Sequence, residues 1–306
     1  MIIKNNSPIF TIFTSTYNRG YVLPKLYESL KKQTNYNFEW LVVDDGSTDN
    51  TEDLFEEWKN ENNPFPIIYC KKENGGKPRA INYGVTRARG RYFFMVDSDD
   101  WLKSEAVQKM TEWVEEIDNK QEYIGVGAAR GYVNGKYLKG IAPKVNDMGY
   151  VDATNLERAK YDLDADMCEA YKIEIFKQFP MAEWKGEKFA PEQIALNEIA
   201  LQGYKLRWHK DIIYICDYLE DGLTKGSRKL EKENPMGYAM MYNHKLKYKL
   251  SIKERIHAAC QVVALSIYGK CPQYILQTNA KVLTLFVLPV GIILSCRRKV
   301  QFSGVE

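Results

Sequence analysis

The feature that most constrains the fold is a regular alternation of apolar, strand-like runs with helical segments over residues 9–96. The runs are rich in β-branched and aromatic residues and read "IFTIFT", "FEWLVVDDGS", "FPIIYC" and "RYFFMV". Between them, apolar residues recur at helical spacing in Tyr21–Gln33, in Thr51–Lys59 and in "KPRAINYGVTRA". Strands and helices that alternate at this length predict βαβ units. The sequence therefore predicts an α/β fold with a mainly parallel sheet and flanking helices.

Polar residues follow three of the predicted strands at the point where each strand ends. "STYN" follows the first strand, "DDGS" the second and "DSDD" the fourth. In open α/β sheets, ligands bind outside the carboxyl ends of the strands. We therefore expect these three segments to converge on one edge of the sheet and to form a site there.

The segment "VDSDD" places three carboxylates within four positions, at Asp97, Asp99 and Asp100. Two like charges ~4 Å apart repel by about 4 kcal/mol at an effective dielectric constant near 20. One interpretation is that they bind Mg²⁺ or Mn²⁺, which proteins hold through one or two carboxylates together with a substrate's phosphates. The other is that Asp99 or Asp100 caps a helix that begins near Lys103.

Other residues at the predicted edge also have two interpretations. Tyr17 could stack on a base, or could be an ordinary half-buried tyrosine. Lys77 and Arg79 begin a predicted helix and would suit an anion, although a lysine in a loop is usually only solvated. Asp49 and Thr51 resemble a turn and a helix cap.

Composition and motifs exclude several classes of protein. A net charge of +3 over 306 residues does not indicate nucleic-acid binding, and we expect no nucleic-acid partner. The six cysteines and three histidines are scattered, which argues against a thiolate or imidazole metal site. No G-x-G-x-x-G follows a strand and no Walker A sequence occurs. The N-terminus has no signal-peptide pattern, so we expect a cytoplasmic chain.

The C-terminal part has a different character, and we predict a boundary at residues 225/226. Lys225–His257 contains nine Lys or Arg against three Asp or Glu. The segment from residue 252 predicts an amphipathic helix with an apolar stripe of Ile252, Ile256, Val263 and Ile267. Val282–Cys296 is apolar except for Thr284 and Ser295, but it is short for a membrane-spanning helix. We expect a helical tail, 226–306, that lies on an anionic membrane surface. A buried terminal helix or an oligomer contact is the alternative.

Four segments together resemble family 2 glycosyltransferases of the GT-A fold. These are "FTSTYNR", "EWLVVDDGSTDNT", "NGGKPRAINYGVTRARGRYFFMVDSDDWL" and, more loosely, "FAPEQIALNEIALQGYKL". The resemblance implies a GT-A-like, Rossmann-type domain over residues 1–225, with a nucleotide-binding half (about 1–105) and an acceptor half (about 106–225). It also implies a nucleotide-sugar donor, usually a UDP-sugar, and an inverting transfer to an acceptor hydroxyl.

The resemblance also assigns roles to individual residues. Ser15 and Tyr17 would line the uracil pocket, and Asp45 would accept a hydrogen bond from the uracil N3–H. Lys77 would lie near the base or the phosphates. Asp97 would contact the ribose or the metal, and Asp99 would bind the divalent ion, Mn²⁺ or Mg²⁺, that bridges the diphosphate.

The catalytic base of the family usually lies in a Glu-Asp pair at the start of a later helix, where this chain reads Pro191-Glu192-Gln193. Glu192 is therefore the candidate base, with Asp100, Glu220 and Asp221 in reserve. A carboxylate is required because the attacking hydroxyl must lose a proton.

The predicted protein is a cytoplasmic glycosyltransferase, peripheral at the inner face of the cell membrane, that extends a bacterial surface glycan or a lipid-linked acceptor. Two alternatives remain. One is a Mg²⁺-dependent phosphotransferase or phosphatase with a strand-end aspartate, Asp45 or Asp97, as nucleophile. The other is a non-catalytic relative that binds nucleotide sugars, which the amide at Gln193 keeps open.

Overall fold

The structure is a computed structural model that describes residues 7–163, 167–216 and 227–303. The chain forms two compact units, the first comprising 1–180 and 197–218 and the second 181–196 and 219–306. The predicted boundary at 225/226 had assigned residues 181–196 to the N-terminal domain, whereas in the structure they cluster with the second unit.

The first unit contains a mixed sheet of strands β1–β9 in the order β3-β2-β1-β4-β8-β6-β9-β5, with β7 paired to β9. The pairings of β1 with β2, β1 with β4 and β2 with β3 are parallel. Antiparallel pairings begin where β8 joins β4. The predicted α/β class is confirmed, and its parallel character belongs mainly to the first four strands.

The first four strands and their helices follow the predicted alternation. Their order is β1 (Phe10–Thr16), α1 (Leu23–Lys31), β2 (Phe38–Asp44), α2 (Thr51–Asn60), β3 (Ile67–Lys71), α3 (Lys77–Val85) and β4 (Tyr92–Met95). All residues of β2 are buried, because β2 lies between β1 and β3 and is covered by helices. Helix α1 buries Leu23, Leu26, Tyr27 and Leu30, which recur at the spacing of one helical face.

The second part of this unit is less regular. It contains β5 (Trp101–Leu102), α4 (Ala106–Ile117), β6 (Tyr123–Gly131), β7 (Tyr150–Ala153), a 3₁₀ helix (Asn155–Tyr161), β8 (Met167–Lys172), α5 (Ile173–Phe176) and β9 (Lys205–Ile215). Asn134 and Gly135 form a turn after β6, in which Gly135 N–H donates to Tyr132 O at 2.9 Å. Within the described residues, the chain that returns from this turn makes one isolated bridge, Gly131 to Tyr137, because β6 pairs instead with β8 and β9.

Strand β6 is built from small residues because its neighbours approach closely. A Cβ atom at Gly125 would lie 2.0 Å from Ala170 O on β8. The strand therefore contributes backbone and small side chains to the core, with Arg130 as the charged exception near its end.

The helices of the C-terminal segment are α7 (Ser227–Glu233), α8 (Pro235–Lys245), α9 (Ile252–Tyr268), α10 (Lys281–Phe286) and α11 (Leu288–Ser303), with a 3₁₀ helix at Pro272–Gln277. Helix α6 (Gln193–Leu201) precedes β9, and Gly203 follows it at a φ of +87°, a left-handed conformation that favours glycine just after a helix. Ser251 and Glu254 form a reciprocal capping box at the start of α9.

The predicted apolar stripe of α9 is only partly correct. Val263 is buried, but Ile252 and Ile256 are 79% and 42% exposed. The buried face instead consists largely of small residues, among them Ala258, Ala259 and Ala264. Small residues allow neighbouring helices to approach closely, so the spacing of large aliphatic residues indicated the helix but not its buried face.

The apolar segment Val282–Cys296 forms two helices rather than one, with α10 ending at Phe286 and α11 beginning at Leu288. Within the described ranges, no helix is long and apolar enough to cross a membrane. All six cysteines fall within those ranges and are free thiols.

Candidate active site

The loop after β2 uses its carboxylates to hold its own backbone. Asp44 is fully buried and accepts hydrogen bonds from Ser47 N at 2.8 Å and from the Tyr69 hydroxyl at 2.5 Å. Asp49 accepts from Thr51 N and Oγ1 at 3.1 and 2.6 Å and from Gly20 N at 3.0 Å. The interpretation of Asp49 and Thr51 as a turn and cap is therefore supported.

Asp45 is buried and is surrounded by donors from the segment after β3. Its Oδ1 accepts from Lys72 Nζ at 2.6 Å and from Gly75 N at 3.0 Å, and its Oδ2 accepts from Gly76 N at 2.6 Å. A carboxylate has about four acceptor positions, so one position on Oδ2 remains for the predicted uracil N3–H. Arg79, in contrast, donates to Gly75 O and supports the same turn.

The loop after β1 is tied to the loop after β2. Asn18 adopts a φ of +51°, and its N–H donates to Ser47 Oγ at 2.8 Å. Its side-chain oxygen accepts from Thr48 N, also at 2.8 Å. Ser15 is half-buried at the end of β1, and the side chain of Tyr17 is 48% exposed immediately beyond it. The Tyr17 ring is thus accessible for stacking, as its predicted role requires.

Asp97, at the end of β4, is held between two cations. Its Oδ1 accepts from Lys77 Nζ at 2.8 Å and its Oδ2 from Arg130 Nη1 at 3.0 Å. Although burial opposes ionisation, these two cations hold the pKa of the Asp97 carboxyl well below its ordinary range. Lys77 directly follows the segment that Asp45 holds, so the ends of β2 and β4 are connected through one stretch of chain.

Asp99 and Asp100 are in the opposite electrostatic situation. Burial, followed by the charge of Asp97, raises the pKa of Asp99 and raises that of Asp100 to about 7. Asp100 Oδ2 lies 3.6 Å from Arg130 Nη1 and accepts from Cys216 Sγ at 3.5 Å. Among the described residues, no lysine or arginine nitrogen lies within 4.0 Å of Asp99.

The helix-capping interpretation of these aspartates is wrong. Trp101 and Leu102 form β5, which pairs with β9, and α4 begins only at Ala106. The N-cap residue of α4 is Glu105, which makes no side-chain capping bond. The carboxylates after β4 are therefore not used to start a helix.

Two residues of this cluster were missed by the sequence analysis. Arg130 comes from β6 and Tyr214 from β9, and the Arg130 guanidinium lies 4.2 Å from the centre of the Tyr214 ring. The Tyr214 hydroxyl accepts from Asp97 N at 2.9 Å. Arg130 could have been recognised as a site residue because it is the one charged residue in the strand "YIGVGAARG". An arginine buried in a strand requires a carboxylate partner.

The residues present fit a divalent ion that arrives with a phosphate ligand. The three carboxylates Asp97, Asp99 and Asp100 face two paired cations, Lys77 and Arg130, which leaves negative charge on the Asp99 side when all three are ionised. In the part of the chain that the structure describes, no group of three or more His, Cys, Asp or Glu is arranged to hold a metal by itself. Mg²⁺ and Mn²⁺ sites of this kind are completed by water and substrate phosphates.

Glu192 belongs to the second unit and is half-buried directly before α6, where its carbonyl oxygen accepts from Leu196 N at 3.1 Å. The segment before it is fixed to α8. Asn234 Oδ1 accepts from Lys188 N and Phe189 N at 2.8 and 3.0 Å, and the Glu187 carboxylate accepts from the first N–H groups of α8. The reserve candidates Glu220 and Asp221 lie outside the described residues.

Comparison with known proteins finds glycosyltransferases that are about one third identical over part of this chain. Glycosyltransferase GlyG from Streptococcus pneumoniae serotype 4 is 33% identical over 112 residues, which is 37% of this chain and 37% of GlyG. The putative teichuronic acid biosynthesis glycosyltransferase TuaG from Bacillus subtilis is 31% identical over 114 residues, 37% of this chain and 45% of TuaG. The matched regions thus span less than half of the length of these relatives.

Solved structures share the fold over nearly the whole chain. Staphylococcus aureus TarS 1–349 in complex with UDP-GlcNAc has a TM-score of 0.60 at 18% identity, covering 94% of this chain and 88% of that one. The mannosyltransferase PcManGT from Pyrobaculum calidifontis, in complex with GDP-Man and Mn²⁺, has a TM-score of 0.58 at 13% identity, covering 96% and 87%. At these identities the similarity concerns the fold.

The family assignment rests on a longer match. The profile described as "Glycosyl transferase family 2" matches residues 11–179, which is 169 of 306 residues and so more than half of the chain. This range includes the ends of β1, β2 and β4 and the carboxylates that follow them. The predicted resemblance is confirmed, and the chain belongs to glycosyl transferase family 2.

Proposed function

We propose that this chain is an inverting glycosyltransferase that moves a sugar from a UDP-sugar to an acceptor hydroxyl with the help of a divalent metal ion. The observation that carries the proposal is the cluster after β4, where Asp99 has no cation within 4.0 Å among the described residues while Asp97 pairs with Lys77 and Arg130. Burial and neighbouring negative charge both disfavour ionised Asp99. A divalent ion bound with a diphosphate would relieve both effects.

The donor would bind across the ends of β1, β2 and β4. The exposed ring of Tyr17, beside Ser15, suits stacking on the base, and the remaining acceptor position of Asp45 suits an N–H of that base. Lys77 supplies positive charge at the start of α3, where backbone N–H groups also favour anions. The predicted nucleotide is UDP, and TarS, which shares the fold of this chain, is in complex with UDP-GlcNAc.

Asp99, with Asp97 beside it, would hold Mn²⁺ or Mg²⁺. When bound, the ion would neutralise charge that develops on the leaving diphosphate. In the structure, Asp97 Oδ1 accepts a hydrogen bond from Lys77 and Oδ2 accepts one from Arg130. One of these two bonds would have to open for Asp97 to bind the metal ion. Arg130 would keep Asp97 ionised in either arrangement.

Glu192 is the proposed general base. In a single displacement at the anomeric carbon, its carboxylate would accept the proton of the attacking acceptor hydroxyl, and the configuration would invert. Base catalysis of this kind contributes typically ~10²–10⁴-fold in rate. The hydrogen bonds from Lys188 N and Phe189 N to Asn234 hold the preceding segment in place, which supports a positioned carboxylate.

The acceptor and the site of action are part of the same proposal. We place the reaction at the cytoplasmic face of the cell membrane, on a glycan or a lipid-linked acceptor. The relative named for teichuronic acid biosynthesis supports a role in bacterial surface polysaccharide synthesis. The phosphotransferase alternative is disfavoured because the chain belongs to a family of glycosyl transferases.

Thermal shift with a panel of UDP- and GDP-sugars, each with and without Mn²⁺, tests the donor assignment. We expect UDP-sugars to raise the melting temperature only when Mn²⁺ or Mg²⁺ is present. Equal stabilisation without metal would contradict the proposed role of Asp99, and stabilisation by GDP-sugars alone would contradict the nucleotide.

Replacement of the proposed base separates an enzyme from a non-catalytic binder. Glu192→Gln should leave the UDP-sugar shift intact and lower the rate of transfer by about 10²-fold or more. Gln193→Asp should retain transfer and serves as the neighbouring control. Normal turnover of Glu192→Gln would assign the base to another carboxylate, and a wild-type chain that binds donor but never transfers it would support the non-catalytic alternative.

A further inference from the structure

Helices α10 and α11 carry large apolar side chains that are exposed. We define the α10–α11 surface by six of them, whose side chains are between 51 and 84% exposed: Val282, Leu285, Phe286, Val290, Ile293 and Val300. Isolated exposed apolar residues are common, whereas six large ones on two consecutive helices are typical of an interaction surface.

The packing of α11 on α9 determines which residues are exposed. A Cβ atom at Gly291 would lie 2.4 Å from Val263 Cβ, so only glycine permits this close crossing. Gly291, Ser295 and Phe302 are buried on that side of the helix. Val290, Ile293 and Val300 lie on the opposite side at a spacing of 3.6 residues per turn. Contact with α9 therefore fixes the exposed face.

The charge of this region has one sign. From Arg255 to Val305 the chain contains no Asp or Glu, while Lys or Arg occurs at six positions: 255, 270, 281, 297, 298 and 299. Arg298 pairs with Glu231 at 2.8 Å, whereas Lys281, Arg297 and Lys299 are exposed. Arg297 shares the side of Val290 and Ile293, so a cation borders the apolar residues.

An anionic bilayer matches this combination better than a second copy of the chain. Amphipathic helices with apolar and basic faces lie in the interface and bind more strongly to anionic lipids. A symmetric dimer through the same surface would place the cations of one copy next to the same cations of the other. No acidic residue of that region could pair with them, so the like charges would repel. The charge pattern therefore selects the lipid.

We propose that the α10–α11 surface docks on an anionic lipid bilayer, with Phe286 and Ile293 among the inserted side chains and Lys281 and Arg297 against the headgroups. Because one side of α11 is packed on α9, the helix lies along the membrane surface. Docking is linked to the proposed function in one respect, since it would bring the enzyme to a lipid-linked acceptor.

Vesicle co-sedimentation of the full-length protein tests this proposal, with phosphatidylcholine vesicles and with vesicles containing one quarter phosphatidylglycerol. We expect the protein to bind the anionic vesicles and to bind neutral ones far less. Phe286→Ser combined with Ile293→Ser should weaken binding by at least about tenfold. Lys281→Gln and Arg297→Gln should each weaken it by about fivefold, and added salt should do the same.

The matched control is Val133→Ser, which alters a residue that is 77% exposed in the first unit and should leave vesicle binding unchanged. Equal binding by wild type and by the Phe286/Ile293 double variant would overturn the proposal. So would failure of wild type to bind anionic vesicles, or a dimer seen by light scattering that the double variant abolishes.

The UDP–Mn²⁺ thermal shift, measured on the same variants, keeps the two proposals distinguishable. It should be unaffected by changes in the α10–α11 surface. Vesicle binding without a UDP–Mn²⁺ thermal shift would contradict only the proposed function. A thermal shift without vesicle binding would contradict only the proposed docking surface.

Discussion

The loops after β2 and β4 are both rich in aspartate, yet they use the negative charge differently. After β2, Asp44 and Asp49 accept hydrogen bonds from neighbouring backbone N–H and hydroxyl groups, which hold the loop in shape. After β4, Asp97 is paired with two cations from distant parts of the chain, and Asp99 has no such partner within 4.0 Å among the described residues.

The pKa shifts express the same difference. Although burial opposes it, hydrogen bonds from Thr51 and Gly20 lower the pKa of Asp49. Burial and the charge of Asp97 raise the pKa of both Asp99 and Asp100. Asp44 and Asp49, whose hydrogen bonds come from nearby groups, therefore have a structural role. A carboxylate that is disfavoured in its charged form is instead a candidate for a binding site.

The largest expected effect concerns the cation that links the β4 loop to the rest of the sheet. Arg130→Met should lower the free energy of unfolding by about 3 kcal/mol, because loss of one partner leaves buried carboxylates uncompensated. Urea unfolding would measure this. Combining it with Asp97→Asn should restore part of the loss, and strict additivity of the two changes would show that the pair does not interact.

Asp99→Asn should lower the rate of sugar transfer by about 10²-fold or more while leaving the unfolding midpoint equal or slightly higher, since it removes a repulsive charge. The metal-dependent shift produced by UDP should disappear with it. Asp147→Asn, at an exposed position in a turn, is the control for the loss of one charge. If Asp99→Asn kept the Mn²⁺-dependent thermal shift with UDP, the proposed difference in role between the β2 and β4 loops would be contradicted.

Asp44→Asn should act on stability, with a loss of about 2 kcal/mol, because an amide cannot accept from both Ser47 N and the Tyr69 hydroxyl in the same geometry. Tyr69→Phe removes a single donor and should cost about 1 kcal/mol. Both are measured by chemical unfolding. If Asp44→Asn left stability unchanged, the β2 loop would not depend on its carboxylates as described.

Asp49→Asn should have the smallest effect on stability, about 1 kcal/mol at pH 7, because an amide keeps only one of the two oxygens that accept hydrogen bonds. This effect should depend on pH. Because the folded-state pKa of Asp49 is lowered, its contribution is present above the unfolded pKa of about 4 and is lost as the pH falls through the folded value. Unfolding measured from pH 7 down to pH 3 should show the wild type and variant converging. Asp53→Asn, on the exposed face of α2, is the control for the loss of one negative charge in this region.

The succession of the first four strands along the chain, and the residues at the strand ends, could be predicted because both follow from local sequence pattern. β-branched runs ending in "DDGS" and "DSDD" determine where strands stop, and parallel pairing then places those ends at one edge. Asp45, Asp97 and Lys77 were found in this way, and two of them, Lys77 and Asp97, are in direct contact.

Arg130 and Tyr214 could not be predicted, because they reach the site through long-range pairings of β6 and β9 with the rest of the sheet. No local pattern fixes the order of the strands in the second half of this unit, where parallel and antiparallel pairings are mixed. The buried face of α9 was missed for a related reason, since small residues pack against a neighbour that sequence periodicity does not identify. Both failures concern partners distant along the chain.

The short stretch from Lys72 to Lys77 connects the two aspartate-rich loops, and its length limits how either loop can change. Asp45 fixes Lys72, Gly75 and Gly76, and the next residue, Lys77, pairs with Asp97. This stretch therefore works as a spacer of set length between two strand ends. Insertion or deletion of a single residue within it would detach the lysine from Asp97, and would separate the proposed base-binding carboxylate from the proposed metal site.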